Sequence, residues 1–397
     1  MMTSTEYPSR QPRAALRRFR RASSLVQRRP ALPAALALVL VCVLLLAFPA
    51  YVRALTASEA QSRALDYVHA QLRENGGFAT NSPTGDLSIT PWVLMAVSAS
   101  GCDPHTWQTA QSDIVNVLRT LDLEHEAAEG SGSNNPPAFY AKLILAFIAS
   151  GRPDLALEAG RPAINLPQRL LSYRHDETGH FSMSATNPGI ADISTTIWAI
   201  LALSAVGSHH EVVAAAADWL VAAQGSDGGF SFQTGAIEDV DDTGAAIQAL
   251  LAAGRSKDDP AIQAAVSFLR EHQNDDGGFV SWVTDTKSTA ESTAWALQAL
   301  NALGEDVNAW RRQEDPVGYL LSLQQPQGAF AHRGQQLATP LMTTTQVVIA
   351  LGGRSFPFSL IAHATAPDYR PTLSALSPAP DATVPAAGFT ITGTLAD

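Results

Sequence analysis

Three carboxylates fall within four positions, at Asp239, Asp241 and Asp242, in the run Asp239-Val240-Asp241-Asp242-Thr243. Carboxyls this close cannot all ionise together. Such a cluster holds a proton at a pH where a lone aspartate has lost it, which is what a general acid requires. The competing use is local. The run heads a predicted helix reaching about Ala253, with Gly254 just past its end. Asp and Thr are helix-capping residue types, and acidic groups also suit the positive end of the helix dipole.

The element that presents these carboxylates recurs along the chain. Phe78, Phe181, Phe230, Phe279 and Phe330 each follow a glycine two positions back, at spacings of 103, 49, 49 and 51. The first gap therefore holds two units, the second lacking its Gly-x-Phe. In the fullest units an amphipathic stretch ends in Gln-x3-Gly-x-Phe, at Gln224/Gly228/Phe230, Gln273/Gly277/Phe279 and Gln324/Gly328/Phe330. After each turn comes a more apolar helix. Five of these begin at Ser88-Ile-Thr90, Ser194-Thr-Thr196, Asp241-Asp-Thr243, Glu291-Ser-Thr293 and Met342-Thr-Thr344, and the degenerate unit supplies Pro136 to Phe147. Helices without a wettable side must be enclosed, and amphipathic ones can enclose them. Six such pairs predict an all-α fold, an α6/α6 toroid with an inner and an outer ring.

The glutamine-led turns resemble the glutamine–tryptophan repeat of squalene and oxidosqualene cyclases, with Phe in the Trp place. Residues 58–358 as a whole resemble the α/α-toroid superfamily of terpene cyclases and protein prenyltransferases, and most of all its exported bacterial prenyltransferase/squalene-oxidase-repeat members. The resemblance implies that each Gln hydrogen-bonds backbone at the next helix start while the aromatic packs beside it. Asp239-Val-Asp241-Asp242-Thr243 is similar to the Asp-x-Asp-Asp-Thr motif of class II terpene cyclases, with Gly244 where the family continues with Ala. On that resemblance Asp241 protonates an alkene or epoxide and Asp239 and Asp242 support it. Trp92, Tyr140, Trp198, Thr243 and Trp295 are then the candidates to line the cavity. Two features weigh the other way. The chain is 7% aromatic, whereas cyclases guide carbocations with aromatic walls, and it has the length of one helical barrel where these cyclases pair two.

Composition narrows the rest. The first 53 residues hold nine arginines against one glutamate, a surplus of +8, so the body carries −19 of the net −11 and repels nucleic acid. Residues 1–30 form a basic segment, and 31–53 an apolar one near the length that crosses a bilayer, read as a signal peptide or signal anchor. The toroid is thus expected outside the cytoplasm, tethered to the membrane by this helix or released by its cleavage. Residues 359–370 read as a linker and 371–397 as the cut-off start of an immunoglobulin-like domain, a short β-type stub. Cys42 and Cys102 allow neither a disulfide framework nor a thiolate zinc site.

Other candidates are weaker. Cys102-Asp103-Pro104-His105 and the His175 to His180 run read as turns, and Asn274-Asp275-Asp276-Gly277 lacks the spacing of a calcium loop. No cofactor or metal motif stands out. The sequence predicts first an exported cell-surface toroid that binds a hydrophobic small molecule or a surface protein without catalysis. The alternative is a class II terpenoid cyclase whose acid is Asp241.

Overall fold

Each apolar repeat is a helix buried on every side, and its partner is a helix buried on one. The computed structural model describes residues 55–78, 89–129, 134–358, 371–372 and 390–391. The pairs, outer member first, are α1 (Ala57–His69) with α2 (Thr90–Ala99) and α3 (Ile114–Thr120) with α5 (Pro136–Ala149). They continue as α7 (Leu166–Leu171) with α8 (Asp192–Val206), α9 (His210–Ala222) with α10 (Val240–Ala252), α11 (Pro260–Glu271) with α12 (Ala290–Leu303) and α13 (Pro316–Ser322) with α14 (Pro340–Leu351). The short α4 (Leu123–Ala128) and α6 (Pro153–Leu157) lie between, making fourteen helices among the described residues.

The apolar helices form a closed circuit. In order, α2 meets α5, α8, α10, α12 and α14, each touching the next, and α14 returns to α2. Outer helices cover them, with α1 lying on α14 and α13 at the seam. The seam is hydrogen-bonded: Gln324 Nε2 donates to Ala60 O at 2.7 Å, Gln61 Nε2 to Val348 O at 3.0 Å, and Arg63 to Pro326 O at 3.0 Å. The outer helices of the second and third units are cut to seven and six residues, and around the third Gly160, Pro162 and Pro167 interrupt the chain.

Two side-chain devices repeat around the ring. The turn glutamine donates across to the next outer element, from Gln224 Nε2 to Ala261 O at 2.8 Å and from Gln273 Nε2 to Trp310 O at 2.7 Å. The head threonine of five of the six inner helices accepts from the backbone N–H of the turn phenylalanine. The pairs are Thr90 with Phe78, Thr196 with Phe181, Thr243 with Phe230, Thr293 with Phe279 and Thr344 with Phe330, at 2.8 to 3.1 Å. Those phenylalanines are buried, and truncating one to alanine costs about 3–5 kcal/mol.

The basic segment 1–30 and the apolar segment 31–53 lie outside the described residues, as does the linker. Among the described residues no helix is long and apolar enough to cross a membrane. Of the tail, Pro371–Thr372 pairs antiparallel with Thr390–Ile391.

Candidate active site

The head of α10 divides its labour among the three carboxylates. Asp239, in extended conformation, is the N-cap, and its Oδ1 accepts from the Asp242 N–H at 2.8 Å. Its own carbonyl accepts from the Thr243 hydroxyl at 2.6 Å. Capping is therefore complete with Asp239 alone. Asp241 and Asp242 are half-buried in the first turn of α10. Asp241 Oδ1 is buried and receives no hydrogen bond from the described residues. A buried carboxylate oxygen left without a donor costs free energy unless the group is protonated.

The electrostatics point the same way. Burial pushes the Asp241 carboxyl up to about 7, and the charge of Asp239 adds to the rise; the Ser292 hydroxyl partly offsets it, and Glu291 adds a smaller push. Asp239 and Asp242 are raised as well, each by burial first and then by a neighbouring carboxylate, Asp242 for the former and Asp241 for the latter. Ser194 from α8 and Ser292 from α12 flank the pair, lowering Asp242 and Asp241 respectively. The trio keeps at least one proton near neutral pH because like charges in a poorly solvated space cannot all form.

One turn further into the ring lies an aromatic floor. Ser194 and Trp198, Asp241 and Ala245, and Glu291 and Trp295 are each four residues apart, so each pair shares a helix face at a rise of about 6 Å. Ala245 leaves room for Trp198 and Trp295 to meet edge to face across α10, their centroids 6.0 Å apart. Trp92 joins them at 5.6 and 6.1 Å. Phe356, beyond the end of α14, meets all three at 5.7 to 6.2 Å, edge-on to Trp92 and Trp198 and tilted against Trp295, its N–H donating to Gln248 Oε1 at 2.8 Å. Lys142 of α5 lays its Nζ over the faces of Trp198 at 4.9 Å and Trp92 at 5.7 Å, and burial lowers its ammonium to about 8. The cage thus already receives one cation.

Gly244 explains the tight approach of α10 to α12, since a Cβ there would stand 2.8 Å from the Trp295 carbonyl oxygen.

Of the residues singled out in the sequence, Asp239, Asp241 and Asp242 come together with Trp92, Trp198 and Trp295 below them. Tyr140 lies elsewhere, its ring against Phe139 and against Tyr173 at the end of outer helix α7. Thr243 is engaged between the rings, fastening Phe230. Lys142, Phe356, Ser194, Glu291 and Ser292 complete the site. Lys142 is the one charged residue in α5, and Ser194 and Glu291 occupy the Asp241 column of the repeat, so the sequence carried signals for these. Phe356 carried none.

The weaker motifs are local. Asp103 accepts from the His105 N–H at 2.9 Å, and Asp276 from Gly278 N and the Ser288 hydroxyl at 3.0 and 2.8 Å. His175 and His180 stack with each other, and His180 with Trp219. An open surface cleft of about 870 Å³ is lined by Asn274, Asp276, Lys287, Tyr319 and Arg333, and none of the three motif aspartates lines it. Among the described residues no three His, Cys, Asp or Glu side chains gather as a metal site needs.

The squalene-hopene cyclase C-terminal domain family matches residues 181–347, a span that includes the aspartates. A drimenyl diphosphate synthase of Streptomyces showdoensis is 32% identical over 162 residues, 41% of this chain and 30% of its own length. A squalene–hopene cyclase of Bradyrhizobium diazoefficiens is 44% identical over 91 residues, 20% of this chain and 13% of its own. The chain thus matches under a third of either relative. A solved type II terpene cyclase from Scytonema, bound to its product merosterolic acid A, superposes with a TM-score of 0.51 at 16% identity, over 75% of this chain and 96% of that one, a likeness of fold.

Proposed function

We propose that this chain, which carries the squalene cyclase-like α/α toroid, is a class II terpenoid cyclase that starts ring closure by protonating a linear polyprenyl chain. Asp241 is the acid. The observation that carries the reading is its buried, unpartnered Oδ1 on a helix already capped by Asp239. A ring that only binds, the other expectation from the sequence, leaves that oxygen without a purpose.

The chemistry balances on the chain's own residues. The proton on Asp241 adds to a terminal alkene carbon, whose π pair becomes the new C–H bond. The neighbouring carbon is left cationic, and the next alkene closes on it to form a C–C bond. Asp241 is left as a carboxylate, steadied by the Ser292 hydroxyl. Trp198, Trp295 and Trp92 offer electron-rich faces one turn away to the advancing cation. The reaction ends when a carbon beside the last cation gives up a proton to water and its C–H pair becomes a new alkene. Asp239 and Asp242 raise the proton affinity of the acid and keep the helix head in place.

The substrate is hydrophobic. Phe232, Ile237, Trp282 and Leu337 are exposed on the loops that lead into α10, α12 and α14, at the end of the ring that bears the aspartates. Such a rim suits the entry of an isoprenoid. The relatives are named for drimenyl diphosphate and for squalene and hopene, so farnesyl diphosphate and squalene are the first compounds to try. We further propose that the reaction takes place outside the cytoplasm, with residues 31–53 as signal peptide or membrane anchor, from the N-terminal charge pattern. Incubating the wild-type protein and Asp241→Asn with each compound, and analysing extracts by gas chromatography and mass spectrometry, tests the reading. Cyclised product from the wild type alone is expected. Equal output from both proteins, or none from either, overturns it.

A further inference from the structure

The aromatic floor has a charged member. Trp92, Lys142, Trp198, Ala245 and Trp295 each stand nine residues before the glycine that follows their inner helix, at Gly101, Gly151, Gly207, Gly254 and Gly304. The repeat therefore sets all five at one level of the ring. Where three units supply an indole there, α5 supplies an ammonium. In the closed circuit α5 lies between α2 and α8. Lys142 Nζ rests over the rings that these two neighbours contribute, Trp92 at 5.7 Å and Trp198 at 4.9 Å. It makes no hydrogen bond or ion pair among the described residues, and burial alone acts on its charge.

An ammonium withdrawn from water without a counter-ion is costly, and two indole faces offset only part of that cost. Such a charge can hold an anion or keep a cation away. The first use is poorly served here. A diphosphate carries several negative charges, and the level that holds Lys142 has no second lysine or arginine. The second use fits the chemistry of ring closure. Each closure turns the π pair of the next alkene into a C–C bond and moves the positive charge to that alkene's far carbon. The cation thus travels along the chain and needs a π face wherever it stops. On Trp92 and Trp198 it would meet the ammonium across a few ångströms of poorly solvated space, where like charges repel strongly. Trp295 differs, because among the described residues no side-chain cation lies over its ring.

We infer that Lys142 is a specificity-determining residue that stops ring formation early, by keeping the substrate cation off Trp92 and Trp198 and leaving it the Trp295 side. This role rests on the cyclase reading above. The first cation, formed beside Asp241, is little affected, whereas later ones are disfavoured. The last permitted cation loses its proton to water, and the alkenes further along the chain stay unreacted. The product class is a polyprenyl chain with few rings and an open, unsaturated remainder.

Two measurements on the full chain decide it, each with wild type, Lys142→Met, Lys142→Gln and Lys142→Arg. Methionine and glutamine remove a buried charge at similar length, a change that proteins tolerate, and arginine keeps the charge. In the first, tryptophan fluorescence follows the binding of an aza-polyprenyl chain, with a tertiary ammonium at an internal branch point, and of its all-carbon counterpart. Lys142→Met and Lys142→Gln should bind the ammonium probe about tenfold more tightly than wild type, with the neutral probe unchanged and Lys142→Arg like wild type. Equal affinity of all four proteins for the ammonium probe, or equal tightening of both probes, overturns the inference. Inorganic diphosphate is titrated alongside, and binding to wild type that is lost in Lys142→Met would make Lys142 an anion clamp and overturn it too. The second measurement compares the products from geranylgeranyl diphosphate. The two neutral variants should form products with more rings than wild type, and Lys142→Arg should not. An unchanged ring count in the neutral variants refutes the role. If the wild type makes no cyclised product from any compound the cyclase reading fails, and the fluorescence titrations still decide whether Lys142 excludes a cation.

Discussion

Replacing Asp241 with Asn should stabilise the protein at neutral and alkaline pH and leave it unchanged in acid. The folded state raises this carboxyl from an ordinary value of 3.8 to about 7, chiefly by burial. Folding therefore favours the protonated form. The stability linked to that proton is fully present below the unfolded value of 3.8 and is lost as pH rises through about 7. The difference of roughly three units, at 1.36 kcal/mol each, sets a ceiling of about 4 kcal/mol above neutrality. Solvent reaching the half-buried residue screens part of that cost, so the recovered stability falls between about 1 and 4 kcal/mol. Asparagine keeps the shape and carries no charge. Urea unfolding of both proteins at pH 4, 6 and 8 reads the effect directly, with curves that coincide at pH 4 and separate progressively to pH 8. A variant that is destabilised at every pH, or equally stabilised at pH 4 and pH 8, would refute a buried carboxyl forced to ionise. Stability gained on removing this carboxyl is the expected sign of a site held in a strained electrostatic state.

Other outcomes follow from the same geometry. Turnover should fall about tenfold per pH unit above pH 7, as the acid form of Asp241 disappears; a rate that climbs through that range would exclude it as donor. Thr243→Val removes the acceptor for the Phe230 N–H at 2.8 Å and should cost about 1–3 kcal/mol in urea unfolding, whereas Thr243→Ser should cost less. Gly328 has φ +97°, and a Cβ there would collide with the Arg63 carbonyl at the seam between the last turn and α1. Gly328→Ala should lower stability by at least about 2 kcal/mol, while Gly334→Ala, with open space at its Cβ, should cost about 1; calorimetry separates them.

The ring was legible because its cause is periodic. Glycine breaks, apolar helix bodies and a glutamine at a fixed offset recur in sequence, and the Gln hydrogen bonds and Thr–Phe locks that they encode recur in space. The second and third units were harder to place, because interrupted outer helices there replace one amphipathic stretch with short pieces. At the site, the aspartates and three tryptophans could be read from the alignment of helix heads alone. What the sequence left open was the division between Asp239, which caps, and Asp241, which does not, since both residue types suit either task. That choice depends on which oxygen meets the Asp242 N–H, a fact of three-dimensional geometry. Thr243 was drawn into the site by its place in the motif, yet the same threonine in five units performs the same fastening. Phe356 reaches the tryptophans only because the ring closes, and no local pattern anticipates that.

Running the reaction in deuterium oxide tests the central claim most directly. If Asp241 delivers a solvent-derived proton to an alkene, the cyclised product carries one deuterium at the carbon where ring closure began, and Asp241→Asn forms none of it. Product free of deuterium at that carbon, or the same labelled product from Asp241→Asn, would contradict the account.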